Sequence, residues 1–388
     1  MGLFFNLPVL NSHLNGQIVI FIVLNNVTLE ATIHAIFSTL PFAVCLVWSV
    51  LLFQAAWKRP VGALRMLAGF AVVCTVLYFC HAVYFNGEEV LATRAVYRCA
   101  NLAVYPLFWL YIRALSEAEP LPFRAFWVLI PAVVSLLLST IAYALGAAED
   151  FAELPLRFIF LVEVAWVSIA GIRRLDAYDH KVHNFYADTE GKSMVPLRNL
   201  LYLLLLTSLV SALMSVMGRS VFASDLLLVI PSILFSVLLA CIFDIGSRIE
   251  YTALEVSARP ENALETDPDT GEFQALMDRI VDQMENRQLF RTPGLKITDL
   301  ATELGSNRTY VSNCINRMAG QSFSDYVNSY RIRYAQILMQ MNDSGQTLSQ
   351  IGTQAGFSGE TSFFRNFKKI TGQTPSEWLS SRKPSDKS

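Results

Sequence analysis

Long apolar segments separated by short polar connections fill the first two thirds of this chain, and they constrain its fold more than any other feature. Each is long enough, some only with their flanks, to cross a hydrocarbon core of about 30 Å. Because lipid offers the backbone no hydrogen-bonding partner, each segment is predicted to be a transmembrane helix. The seven segments are 34–57, 62–85, 95–112, 125–145, 156–172, 200–217 and 226–245. A composition that is 53% hydrophobic and 16% charged excludes a chain that is soluble throughout.

The first 33 residues have a different pattern. An apolar run at 17–24, rich in β-branched residues and too short to span a bilayer, is followed by Asn25-Asn26 and then by partial alternation over 27–33. Two polar residues between such runs predict a two-residue β-hairpin.

Charge in the connections predicts how the chain is oriented, because basic residues collect on the cytoplasmic side of a membrane. Seven crossings place the two ends of the chain on opposite sides. Counted with the segment ends beside them, the odd-numbered connections and the exit after the last segment hold twelve basic residues: Lys58, Arg59, Arg65, Arg113, Arg124, Arg173, Arg174, Lys181, Lys192, Arg198, Arg248 and Arg259. The remaining connections, counted in the same way, hold four: Arg94, Arg98, Arg157 and Arg219. The N-terminal segment is therefore predicted outside and the C-terminal part in the cytoplasm.

The C-terminal quarter carries two similar helical signals in tandem. In the first, an amphipathic helix over 297–304 is followed by a turn at Gly305-Ser306 and a second helix over 308–319, which Asn307 caps. This order of helix, tight turn and helix predicts a helix-turn-helix unit.

The second signal repeats this arrangement. A helix over 348–355 is followed by a turn at Gly356-Phe357 and by a helix from about 359 to 369. A longer helix over 323–341 connects the two units. Two such units on one connecting helix can place their second helices in successive major grooves of B-DNA.

Polar side chains on the second helix of each unit can bond base edges or phosphates. They are Arg308, Thr309, Ser312, Asn313 and Asn316 in the first unit, and Glu360, Thr361, Arg365, Asn366 and Lys368 in the second. From residue 290 to 383 the chain has eleven Lys plus Arg and six Asp plus Glu, a net charge of +5 within a chain of net −2. A basic module indicates phosphate contact, with a merely solvated face as the alternative for the basic side chains.

At these residues the chain resembles the DNA-binding domain of the AraC/XylS (arabinose-regulator type) transcription factors. The most specific part of the match is the spaced series Ile351-Gly352, Gly356-Phe357, Phe363-Phe364-Arg365, Phe367-Lys368-Lys369, Gly372, Thr374-Pro375 and Trp378. The resemblance implies base-reading positions at Thr309, Ser312, Asn313, Glu360, Thr361 and Arg365.

The chain departs from that family's pattern at three positions. Asn313 and Ile315 stand where the family commonly has Arg and Phe, and Gly352 stands where it usually has Ala. The change at Asn313 is expected to alter the DNA sequence that is read. The change at Gly352 is expected to loosen a helix contact.

Ionisable residues inside apolar segments are costly and therefore indicate function. Glu163 is the deepest, Arg98 lies at a similar depth, and His81 is nearer the outer surface. These three predict either a ligand pocket or a structural ion pair that fixes helix packing. Cys80 and Cys99 also lie at similar depth, which leaves a disulfide or two free thiols open. The six cysteines lack metal-ligand spacing, and no cofactor motif is present in the sequence.

The apolar pattern ends after residue 245, and Pro and acidic residues between 260 and 269 predict a linker. Apolar residues then recur at helical spacing from Phe273 to Met284, a stripe that packs either on the adjoining module or on a second chain. The predicted class is all-α apart from the hairpin. The predicted domains are an extracytoplasmic segment at 1–33, a seven-helix membrane domain at 34–247, a linker at 248–271 and a tandem helix-turn-helix domain at 272–388.

These features together predict a membrane-bound one-component transcription regulator of the bacterial inner membrane, and not an enzyme. The membrane domain is expected to sense a lipid or small amphiphile, because its outer connections are short. The C-terminal domain is expected to bind double-stranded promoter DNA, as a homodimer whose paired modules raise affinity. The alternatives are a transporter or membrane enzyme with a regulatory DNA-binding tail, and a scaffold whose DNA module is inactive.

Overall fold

The computed structural model describes residues 7–59, 61–85, 91–145, 153–217, 225–249, 256, 270–341 and 345–382. Throughout these ranges the regular elements are helices, and no strand is found in them, which confirms the predicted all-α class. The chain divides into two compact units. The first unit comprises residues 1–115, 120–172 and 197–248, and the second comprises 116–119, 173–196 and 249–388.

The N-terminal two thirds form a series of long helices that follow the predicted apolar segments. They are α1 (Leu7–Lys58), α2 (Gly62–Phe85), α3 (Leu91–Ser116), α4 (Ile130–Ala144), α5 (Glu153–Phe185), α6 (Val195–Met217) and α7 (Asp225–Arg248). A 3-10 segment, Phe123–Leu129, leads into α4. Helix α5 contributes residues to both units.

The predicted N-terminal hairpin is wrong, because residues 17–33 belong to α1. A helix satisfies its backbone hydrogen bonds within one segment, whereas a single two-stranded hairpin is marginally stable alone. The short apolar run and Asn25-Asn26 therefore continue into the following apolar segment as one helix. The first six residues of the predicted extracytoplasmic segment lie outside the described residues.

Five stretches of the described helices are long and apolar enough to cross a membrane. They are Ala35–Lys58, Gly62–Val83, Phe123–Ala144, Pro155–Phe185 and Val229–Arg248. The remaining two predicted segments are also helical, but α3 contains three arginines and α6 contributes only a shorter apolar stretch, Val195–Ser208. The count of seven crossings therefore stays a prediction.

The first unit is stabilised by an aromatic core and by hydrogen bonds between Ser and Thr hydroxyls. Helix α1 packs along α2 and α7. The Phe70 ring lies 5.1 Å from that of Phe108 and 5.6 Å from that of Phe243, centroid to centroid. Ser49 and Thr75 share a hydrogen bond of 2.8 Å between α1 and α2. Many large apolar side chains point outward, and such extended exposed apolar surface is typical of a face that meets lipid.

The second unit is a cluster of shorter helices, and an apolar core lies within its C-terminal half. After α8 (Thr270–Glu285) and a 3-10 turn (Leu289–Arg291), they are α9 (Ile297–Glu303), α10 (Arg308–Ala319), α11 (Phe323–Gln340), α12 (Leu348–Gln354), α13 (Glu360–Thr371) and α14 (Pro375–Arg382). Helix α11 packs against α10, α12 and α13. The core joins residues of α11 to Ile351, Phe363, Phe367 and Trp378.

The apolar stripe of α8 is buried within its own unit. Phe273, Leu276, Ile280 and Met284 are almost fully covered, and the Phe273 ring stacks on that of Tyr310 at 5.2 Å. This agrees with packing on the adjoining module rather than on a second chain. The unit also includes residues 173–196, which the sequence had placed with the membrane domain, and most of the predicted linker lies outside the described residues.

Candidate functional site

The first helix-turn-helix unit consists of α9, a tight turn and α10. Gly305 has a φ of +58°, a left-handed conformation that glycine adopts readily, and the chain reverses there. Asn307 then starts α10, since its side-chain oxygen accepts a hydrogen bond of 2.8 Å from the backbone N–H of Tyr310. The inner face of α10 buries Val311 and Ile315, which fixes the direction of its outer face.

The second unit consists of α12, a turn at Gly356 and α13. Gly356 has a φ of +97°, and a β-carbon on it would lie 2.6 Å from the Phe290 carbonyl oxygen, so only glycine fits. A capping box starts α12: the Thr347 N–H donates to Gln350 Oε1 at 2.8 Å, and the Gln350 N–H donates to the Thr347 hydroxyl at 3.3 Å. The turn and cap together set where α13 begins.

The predicted DNA-contacting residues of α10 all lie on its accessible side. Thr309 and Asn313 are exposed, while Arg308, Ser312 and Asn316 are half-buried. Asn316 donates to the Ser312 hydroxyl at 3.4 Å, which orders this side of the helix.

Four of the five predicted residues of α13, Glu360, Thr361, Arg365 and Lys368, are exposed. The fifth, Asn366, is buried, and its side-chain amide donates to the Ser362 carbonyl oxygen at 2.9 Å. Asn366 therefore does not belong to the exposed face, and in this structure it is a packing residue. Its polar type suggested otherwise, but its position in the helical period places it inside.

The expectation that Gly352 loosens a helix contact is wrong. A β-carbon on Gly352 would lie 2.8 Å from Cγ of the Phe363 ring. Glycine therefore lets α12 and α13 approach more closely than alanine would. Asn313, the other departure with a predicted effect, is exposed and so remains available to change which DNA sequence is read.

Arg331 is a structural residue that the sequence did not reveal. It is fully buried on α11, where its Nε donates to the Phe290 carbonyl oxygen at 2.7 Å and its Nη2 donates to the Thr292 carbonyl oxygen at 2.9 Å. Burial lowers the pKa of Arg331 to about 10, and the negative charge of Asp188 opposes that shift, so the guanidinium stays protonated at neutral pH. Its burial could have been predicted only from its position in α11, four residues from both Val327 and Ala335, which are buried on the same face.

A second group missed from the sequence lies at the amino end of α13. Asp188, from the connection between α5 and α6, accepts a hydrogen bond from the Ser358 N–H at 3.2 Å and another from the Ser358 hydroxyl. Its other oxygen accepts from the Ser362 hydroxyl at 2.8 Å. Asp188 therefore bonds residues about 170 positions further along the chain, and no local sequence pattern predicts such a contact.

The three residues of the predicted ligand pocket have different surroundings. Glu163 is buried, and neither carboxylate oxygen has a hydrogen-bond partner among the described residues, so no bond to Arg98 is formed. Arg98 donates to Ser139 at 3.4 Å, and the His81 ring lies edge-on to that of Tyr97 at 5.0 Å. The cysteines, Cys80 and Cys99 included, are free thiols.

Comparison with known proteins gives a family match for the C-terminal part of the second unit. Residues 300–381 match the family described as helix-turn-helix domain, and this C-terminal segment is a helix-turn-helix domain of AraC type. A transcriptional regulator of helix-turn-helix type from Staphylococcus aureus (strain MSSA476) is 31% identical over 88 residues, which are 23% of this chain and 12% of that protein. The regulator YtdP of Bacillus subtilis (strain 168) is 31% identical over 84 residues, which are 22% of this chain and 11% of that protein.

The chain thus spans only about an eighth of the length of these relatives, and the likeness covers the DNA-binding segment. A solved structure of a Listeria innocua protein of unknown function is 25% identical and covers 28% of this chain and 96% of that chain. Its TM-score of 0.24 is too low to support an argument.

Proposed function

We propose that the protein is a membrane-embedded one-component transcription regulator that binds promoter DNA through both helix-turn-helix units. The main support for this proposal is that α10 and α13 have the same arrangement. Each follows a tight turn, buries an apolar face, and presents a polar face on which the predicted contact residues, Asn366 excepted, are accessible. This is the arrangement in which a second helix enters a major groove.

Individual side chains have different proposed roles on DNA. Arg365 is exposed on α13, and a guanidinium can bond both acceptors on the major-groove edge of guanine. Thr309, Ser312 and Asn313 on α10, and Thr361 on α13, are assigned to base edges, while Arg308 and Lys368 are assigned to phosphates, which position the protein without reading sequence. Glu360 and Asn316 complete the accessible faces, and Glu360 is suited to accept from a cytosine amino group.

Chromatin mapping of the full-length protein tests this proposal directly. Arg365→Ala is expected to lose sequence-selective sites, since one bidentate contact discriminates by about 1–3 kcal/mol. Arg287→Ala is the matched control, because Arg287 is exposed and pairs with Glu303 outside both reading helices. Equal occupancy by the wild type and Arg365→Ala would remove Arg365 from the proposed set, and absence of any enriched site would overturn DNA binding.

The membrane domain is proposed to sense a lipid or small amphiphile at the level of Glu163, with Arg98 and His81 bordering the ligand pocket. The support is the buried Glu163 carboxylate, which has no partner among the described residues and is therefore costly unless something else pairs with it. Glu163→Gln is expected to abolish the transcriptional response to added lipid extracts, while Ser168→Ala, another buried polar change on α5, keeps it. An unchanged response and unchanged stability in Glu163→Gln would remove this assignment.

We also propose a homodimer in the bacterial inner membrane with its second unit in the cytoplasm. Paired modules raise DNA affinity through effective concentration. The mass of the protein in lipid nanodiscs, with and without bound duplex, tests the dimer. A single copy in both conditions would contradict it.

A further inference from the structure

Residues 185–190, which leave the end of α5, are packed into the second unit between its two helix-turn-helix halves. On the side of the first half, the Ala187 N–H donates to the Leu295 carbonyl oxygen at 3.0 Å. Tyr186 and Lys296 form an antiparallel bridge next to it. The Phe185 ring lies 5.5 Å below the guanidinium of Arg308, the first residue of α10. Burial lowers the pKa of Arg308, in keeping with a cation partly withdrawn from water.

The same residues are fastened to the connecting helix. The Ala187 carbonyl oxygen accepts from the Ser324 hydroxyl and from the Asn328 side-chain amide, each at 2.9 Å. Both donors are buried near the start of α11. The main chain of Ala187 is therefore bonded on both sides, which holds residues 185–190 in one place.

On the side of the second half, Asp188 and Glu190 bring two carboxylates to the amino end of α13. Asp188 accepts from the backbone and hydroxyl of Ser358 and from the hydroxyl of Ser362. The Glu190 carboxylate lies so near Gly359 that a methyl group there would be 3.2 Å from its Oε2.

The chemistry at this end of α13 is that of an anion site. A backbone N–H, two hydroxyls and the positive end of the helix dipole converge on one negative group. A DNA phosphate can use the same donors, since hydroxyls, backbone N–H groups and helix amino ends bond phosphate oxygens alongside Arg and Lys. In this structure a carboxylate of the protein itself occupies the position.

We propose, resting on the DNA-binding function proposed above, that residues 185–190 are an autoinhibitory clamp that competes with DNA. Asp188 occupies the phosphate position at α13, Phe185 holds Arg308 of α10, and Glu190 adds a second negative charge beside the reading face. Binding of a duplex requires the clamp to leave. Helix α5 is continuous from Glu153 to Phe185, so a change in the membrane part of this helix is a direct way to release it.

Duplex binding by the full-length protein in nanodiscs tests the clamp, with a pool of random-sequence 40-base-pair duplexes as probe. Asp188→Asn is expected to bind at least about tenfold more tightly, because its amide can no longer mimic a phosphate. Glu190→Gln is expected to bind about threefold more tightly through loss of one repulsive charge. Asp278→Asn is the matched control, since Asp278 is exposed on α8 and bonded to Gln274, and it should bind as the wild type does.

Hydrogen exchange of the wild type gives a second measurement that does not depend on any variant folding. The Ala187 amide is protected by its bond to Leu295, and the clamp predicts faster exchange over residues 183–190 when duplex is added. Unchanged or stronger protection on DNA would show that these residues only support the unit, and the clamp would be overturned.

Different results would contradict the clamp and the proposed DNA-binding function on which it rests. If the wild type binds duplex and neither acidic variant binds more tightly, the clamp is wrong and DNA binding stands. If neither the wild type nor Asp188→Asn binds any duplex in the pool, the proposed function and the clamp both fall.

Discussion

A fully buried arginine at the centre of the DNA-binding unit is the clearest single-residue feature of this chain. Arg331 links α11 to the turn before α9 through two carbonyl oxygens, and its guanidinium lies 5.4 Å from the Phe357 ring of the second helix-turn-helix turn. One side chain thus connects both halves of the unit. Its charge counts toward the net +5 of residues 290–383, but its side chain is buried, so the proposed phosphate contacts are assigned to the exposed basic residues.

Replacement of this arginine should destabilise the second unit. Arg331→Met is expected to cost about 2–4 kcal/mol, because the buried Phe290 carbonyl oxygen and the partly buried Thr292 carbonyl oxygen lose their donor. Arg333→Met, on the exposed side of the same helix, is expected to cost about 1 kcal/mol or less, since it loses a surface contact with Tyr330. Limited proteolysis over a temperature series measures both. Equal midpoints for the two variants would show that the buried bonds contribute little.

At the scale of the helices, the close approach of α12 and α13 gives a sharp prediction. Gly352→Ala is expected to lower the free energy of unfolding by about 1–3 kcal/mol, because the new methyl group overlaps the Phe363 ring. It should also weaken duplex binding, since α13 must move. Thr353→Ala, an exposed neighbour on the same helix, should change neither. Thermal unfolding and the duplex assay check both, and wild-type behaviour of Gly352→Ala would contradict the tight contact.

The helices of the second unit could be predicted closely from the sequence. Caps and glycine turns are local signals, so α10 begins after Asn307 and covers the predicted residues 308–319. The hairpin prediction was wrong because it also relied on a local signal. The turn signal at Asn25-Asn26 was outweighed by a much longer apolar helix. The prediction for Gly352 was wrong because the distance between α12 and α13 depends on the Phe363 ring that contacts the glycine. The residue type at one position does not predict that contact.

The candidate site was predictable only where it follows one helical period. The exposed positions of α10 and α13 repeat every three to four residues, and the helical period predicts them. Asn366, the residue after the exposed Arg365, was predicted to be on the exposed face but is buried. Asp188 was missed because its partners are about 170 residues away in sequence. Periodicity describes one helix at a time, whereas this contact depends on how the whole chain is folded.

For the whole molecule, the charge of the connections predicts where each end lies. A protease-sensitive tag at the N-terminus is expected to be cut in intact spheroplasts, whereas a tag after residue 388 is expected to be cut only after the inner membrane is opened, because basic connections are expected on the cytoplasmic side. Immunoblotting of both tags measures this. A C-terminal tag that is cut in intact spheroplasts would exclude access of the second unit to chromosomal DNA.

The unbroken course of α5 has a mechanical consequence. Over the 22 residues from Glu163 to Phe185 an α-helix rises by about 33 Å and is stiff along its axis. An axial displacement or a rotation of α5 at Glu163 is therefore transmitted to Phe185 with little loss, whereas a coil would absorb it. In the proposed mechanism, a ligand that displaces α5 at Glu163 also displaces Asp188, three residues beyond the end of the helix, from the hydroxyls of Ser358 and Ser362.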